Sequence, residues 1–253
     1  MPIRLTKAVK ALCIAIFVGF LFQHIIERFG GGEGRVITRT LGLVPGEFIN
    51  HFWIWQIFTY PFLHADVMHL FLNLLMLVFV GAELEAAWGT RRFLRYYFFC
   101  AAFAGFCYLA MQVFFTGGLY VPMVGASGGI YGLLMAYGLV FGERTLLFMM
   151  LFPMKAKQFI WILAGVQFMT AVFSPGAELS AVAHLGGMAG GFAFLWIGAY
   201  LKLQQKLKQA RGTVRTSKRR ESAAKKPGHL KLVVNKKTFD SGDDGDDKPK
   251  TWH

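Results

Sequence analysis

Ser127 lies among small residues in Gly125-Ala126-Ser127-Gly128-Gly129-Ile130-Tyr131-Gly132, at the start of an apolar segment that runs to Phe141. Alone, such a serine is ordinary: it bonds its own helix or lets two helices approach closely. A second stretch, Ala183-His184-Leu185-Gly186-Gly187-Met188-Ala189-Gly190-Gly191, opens the last apolar segment. A hydroxyl and an imidazole, each among glycines at the start of an apolar run, are the residue types of a nucleophile and its general base. The chemistry they could do is acyl transfer. His184 would take the proton of Ser127 as the oxygen attacks a carbonyl, then return it to the leaving amine. His69 and Asn73 open another apolar run. Four residues apart, they share one helix face, and polar side chains within a span are costly enough to point to function. Together with the Ser127 backbone N–H they could donate to the oxyanion. No carboxylate evidently completes a triad, Asp66 being near only in depth.

The elements that must position these groups are membrane spans. Of 253 residues, 55% are hydrophobic, against about 45–50% in an average soluble domain, and the excess falls in long runs between Ala8 and Tyr200. The net charge of +13 sits in short clusters between those runs and in the tail, the pattern of cytoplasmic loops. No aromatic-basic face accompanies it, which excludes nucleic acid as a partner. Cys13, Cys100 and Cys107 all lie inside apolar runs without metal-ligand spacing and read as small hydrophobes.

The apolar runs predict six spans, at about 8–26, 65–83, 93–115, 127–142, 158–173 and 180–201. The first is read as an uncleaved helix, because no small-residue cleavage site follows it. The aromatic stretch from His51 to Phe62 is expected to lie in the outer face of the bilayer as an embedded first loop. The serine span has 16 residues where about 20 are needed to cross, so the loop before it must dip and carry Ser127 below the surface. Basic residues gather at Arg4/Lys7/Lys10, Arg91/Arg92/Arg95 and Arg144/Lys155/Lys157, and again beyond Lys202. The positive-inside bias puts both termini in the cytoplasm, which requires an even number of spans. The spans of His69/Asn73, Ser127 and His184 then all run from outside to inside, with the four side chains at similar depth. Gly128 and Gly132, like Gly187 and Gly191, are spaced to let their helices approach. One membrane domain, 1–201, is therefore followed by a tail, 202–253. The tail's basic and acidic blocks predict disorder, with the basic half resting on the lipid bilayer.

With these residues assembled, the chain resembles the rhomboid intramembrane serine proteases. The matching residues are Gly125-x-Ser127-Gly128, Ala183-His184-x-x-Gly187-x-x-x-Gly191, and His69-x-x-x-Asn73 followed by Gly81-x-x-x-Glu85. The resemblance covers about Trp53 to Tyr200. It implies an all-α membrane protein, a six-transmembrane-helix rhomboid-like bundle of the minimal form, expected in a bacterial inner membrane. It also implies a Ser127 nucleophile and a His184 base. Asn73 and His69 would serve the oxyanion, Tyr131 would stack on His184, and His64 would stand at the mouth of the cavity. The implied partners are transmembrane protein substrates cut near their outer ends; no metal or cofactor is implied, and the oligomeric state is open. One departure is the first loop, where family members often carry Trp-Arg and this chain has Trp55-Gln56. The rival readings are a non-proteolytic rhomboid-like factor for membrane-protein quality control and a transporter. The first typically loses the serine or histidine; the second would want mid-span acids or inverted repeats.

Overall fold

A backbone in hydrocarbon must satisfy its own hydrogen bonds, so long apolar runs are expected to be helices. In the computed structural model they are. It describes residues 5–29, 35–148 and 152–224. Arg4 and the acidic block Asp240–Asp247 lie outside the described residues. The helices are α1 (Lys7–Phe29), α2 (Val36–Leu41), α3 (Pro45–Asn50), α4 (Gln56–Thr59), α5 (Val67–Met76), α6 (Ala82–Trp88), α7 (Thr90–Met111), α8 (Ser127–Val140), α9 (Ala156–Phe173) and α10 (Glu178–Ala224). A π-helical turn over Leu77–Gly81 joins α5 to α6, so the two form one span.

Among the described residues, five helices are long and apolar enough to cross a membrane: Lys7–Phe29, Val67–Trp88, Thr90–Thr116, Ala156–Phe173 and Glu178–Ala210. The protein is an integral membrane protein with an all-α bundle. The serine helix α8 has only 14 residues, about 21 Å at 1.5 Å per residue against a hydrocarbon core of about 30 Å. It is buried around most of its circumference, from Gly128 to Gly138, as expected of a helix that is apolar on every side. Tyr96, Tyr97, Cys100 and Ala104 of α7 are buried with it, and the Tyr96 hydroxyl donates to the Gly132 carbonyl at 2.7 Å.

Glu85 ties the first span to the second. Its buried carboxylate accepts from the Ala8 and Val9 amides at 2.9 and 3.0 Å, from the Thr90 hydroxyl at 2.6 Å and from Thr6. It thereby satisfies N-terminal donors of α1 that the helix itself cannot. Glu85→Ala is expected to lower stability by about 3 kcal/mol, since it strips several buried donors at once. Thermal unfolding in detergent checks this.

Three features go beyond the sequence-based expectations. The first loop carries helices α2, α3 and α4 and a 3₁₀ turn at Tyr60–Phe62. The connection after α8 contains a two-stranded antiparallel hairpin, β1 (Thr145–Phe148) with β2 (Phe152–Lys155), in register from Thr145 opposite Lys155 to Phe148 opposite Phe152. Its base is held by Glu143, which accepts from Lys155 at 2.7 Å and also from Lys157. These two ammonium groups, Lys155 first, hold the exposed Glu143 carboxyl down to about 2. Finally, the chain divides into compact units 1–202 and 203–253. The second unit is helical as far as Ala224 rather than disordered from residue 202. Lys, Gln, Arg and Ala dominate that stretch and are strong helix formers, a property that a charge-block criterion does not weigh.

Candidate active site

The loop that presents Ser127 is moulded by the first loop through alternating backbone bonds. Leu43 and Met123 exchange both N–H···O bonds at 3.0 and 2.9 Å, Gly125 N–H donates to the Tyr60 carbonyl at 3.1 Å, and Ala126 N–H points at His64 Nε2 at 3.4 Å. Tyr60 is in turn fixed by its hydroxyl, which donates to the Ala101 carbonyl at 2.7 Å. Gly125 has φ +115°, and a Cβ there would lie 2.6 Å from the His69 ring. Only glycine meets both conditions. Ser127 follows as the first residue of α8, so its N–H has no partner within the helix.

Gln56 anchors the first loop from within. Its amide is fully buried; Oε1 accepts from Val44 N–H at 3.0 Å and Nε2 donates to the Arg39 carbonyl at 2.8 Å. The Trp55 indole donates to the Thr40 carbonyl at 2.9 Å.

Close approach of α8 and α10 sets the serine against the histidine. A Cβ on Gly187 would stand 2.0 Å from the Gly128 carbonyl oxygen, and one on Gly191 would stand 3.1 Å from that of Gly132. With the backbones this near, the Ser127 hydroxyl and His184 Nε2 are 2.9 Å apart. Tyr131, one turn along α8, stacks on the His184 ring with centroids 4.0 Å apart and planes 11° from parallel. The second ring nitrogen, Nδ1, is 3.0 Å from Gln167 Oε1 on α9, and Gln167 Nε2 donates to the Tyr131 hydroxyl at 2.8 Å.

Ser127, His184 and His69 line one cavity of about 310 Å³, walled otherwise largely by Ala65, Tyr108, Val124 and Leu179. Asn73 is buried beside it, and its amide donates to the His69 carbonyl at 2.9 Å, leaving one amide hydrogen uncommitted by that bond. His64 does not stand at the mouth of the cavity. It is fully buried, edge-on to His69 with centroids 4.9 Å apart, and supports the backbone before Ser127. Asp66 caps α5, accepting from His69 N–H at 2.8 Å, which gives it a structural duty. Gln167 went unremarked in the sequence. Its signal was present: Ile160, Leu163 and Ala164 form the inward stripe of α9, and Gln167 continues it as a polar residue in a span, itself a pointer to function.

Fold and site define a multi-span membrane protein with a hydroxyl-imidazole pair in a partly enclosed cavity. Residues 51–201 match the model of the Rhomboid domain, and the chain belongs to the rhomboid family. It is 30% identical to RHOMBOID-like protein 1 of Arabidopsis thaliana over 72% of this chain and 45% of that one. It is 24% identical to Rhomboid-like protease 3 of Toxoplasma gondii over 75% and 68%, respectively. With the Rhomboid protease GlpG of Yersinia enterocolitica it shares 28% identity over 73% and 59%. The aligned part thus spans about half the length of the Arabidopsis relative and more of the others.

Proposed function

We propose that the protein is an intramembrane serine endopeptidase that cleaves transmembrane substrates near their outer ends, with Ser127 as nucleophile and His184 as base. The observation that carries this reading is the 2.9 Å contact between Ser127 Oγ and His184 Nε2 inside the cavity. Membership of a family that includes proteins named as proteases supports it. In the first step His184 Nε2 takes the Ser127 proton while Oγ bonds to the scissile carbonyl carbon. The resulting oxyanion is met by the Ser127 N–H at the start of α8, the free Asn73 amide hydrogen and the His69 ring. His184 then protonates the departing amine, leaving an acyl-serine. Water, deprotonated by His184, releases the acid and restores the hydroxyl. Both termini are proposed to face the cytoplasm, from the placement of the basic clusters.

Fluorophosphonate labelling in detergent tests the proposal. An activated serine displaces fluoride and forms a P–O bond, so the adduct should map to Ser127 and disappear in His184→Ala. A folded wild-type protein that takes no label would shift the reading to a non-proteolytic factor that binds transmembrane helices. Asn73→Ala is expected to slow cleavage of a single-span reporter substrate by about 10²–10³-fold, the usual consequence of losing one oxyanion donor. An unchanged rate would remove Asn73 from that role.

A further inference from the structure

Resting on the proposed reading of Ser127 and His184, we infer that Gln167 is a positioning residue that makes the pair a three-span Ser127–His184–Gln167 relay, selecting the histidine tautomer able to act as base. For His184 Nε2 to accept the serine proton, the ring's hydrogen must sit on Nδ1. Nδ1 faces Gln167 Oε1 at 3.0 Å, an acceptor that favours that hydrogen. The same amide spans both rings of the site: its Nε2 donates to the Tyr131 hydroxyl at 2.8 Å, and Tyr131 stacks on the imidazole. A reversed amide would offer N–H to Nδ1 and leave Nε2 protonated against the serine oxygen, where it could not serve as base.

Helix packing brings the amide there. A Cβ on Gly138 would touch Ile160 at 2.5 Å, fixing where antiparallel α8 and α9 meet. Seven residues back along α8 is Tyr131 and seven residues forward along α9 is Gln167, about 10.5 Å in each case. Both helices therefore deliver a polar group to the same level as His184. The rest of α9 around it (Trp161, Ile162, Val166, Phe168 and Met169) is apolar and exposed. An amide turned inward from such a helix has its bonding partners only in the site.

The test is the rate of Ser127 labelling by a fluorophosphonate across pH, on the full chain in detergent. Gln167→Leu should lower the rate about 10²-fold, the lower range of what one general base contributes. Gln167→Glu should still label, but a carboxylate beside Nδ1 stabilises the imidazolium. The acid limb of the profile, where the base is lost to protonation, should then move to higher pH. Tyr131, His69 and Tyr108, ionisable side chains around the imidazole and its cavity, are unchanged in both variants, so a moved limb reports on position 167. Wild-type rates and an unmoved limb in both variants would overturn the role of Gln167 and leave the serine-histidine pair standing. If Gln167→Leu fails to fold, an unmoved limb in Gln167→Glu overturns it alone. Absence of Ser127 labelling in the wild type would overturn both readings.

Discussion

Ser127→Ala is expected to yield a folded protein that neither cleaves a transmembrane substrate nor takes up fluorophosphonate. The substitution removes one hydroxyl from a half-buried position and leaves the helix start, Gly125 and the cavity walls in place. The hydroxyl's bond to His184 is worth about 1 kcal/mol to stability, the net contribution of a typical hydrogen bond. Its chemical role is of another order. Where a serine and histidine act as a unit, loss of the serine costs about 10⁶-fold in kcat, and only binding and oxyanion stabilisation remain. Thermal unfolding within a few degrees of wild type, with no detectable cleavage, is the expected outcome. Undiminished cleavage by Ser127→Ala would end the nucleophile assignment.

Gly187→Ala should also impair cleavage, although it adds a single methyl away from the reacting atoms. The new Cβ would meet the Gly128 carbonyl oxygen at 2.0 Å. The obstacle is backbone rather than a flexible side chain, so α8 and α10 must part by about 1.4 Å to restore an ordinary contact. Such a displacement stretches the 2.9 Å Ser127–His184 contact, and misplacement on this scale costs about 10²-fold in rate. Overpacking of this kind also costs about 1–3 kcal/mol of stability. Gly198→Ala on the same helix is the control. Nothing lies within 4 Å of its added Cβ, and replacing a helical glycine by alanine gains up to about 1 kcal/mol. Wild-type cleavage in Gly187→Ala would show that the pair does not depend on this close approach.

The sequence by itself determined the class and supplied the residue types on which the proposed chemistry rests. Apolar runs too long for a soluble core required membrane helices. Glycines four apart in the two key segments foretold close helix contact, visible at Gly128/Gly187 and Gly132/Gly191. The types of Ser127, His184, His69 and Asn73 limited what could happen between those helices. These features were legible because they depend on residue type and local spacing.

The tertiary structure alone decided matters that depend on backbone meeting backbone, or on side chains reaching across spans. Leu43 grips Met123 and Tyr60 grips Gly125 through main-chain groups, which every residue carries and no motif records. The first loop could therefore be read as embedded but not as the mould for the serine's backbone. His64 read as a residue of the cavity mouth because its type was visible while its burial was not. Gln167 joins His184 only because antiparallel packing of α8 and α9 brings Tyr131 and Gln167 to one level. That level is set by the contact of Gly138 with Ile160, a fact of three-dimensional register rather than of spacing along the chain.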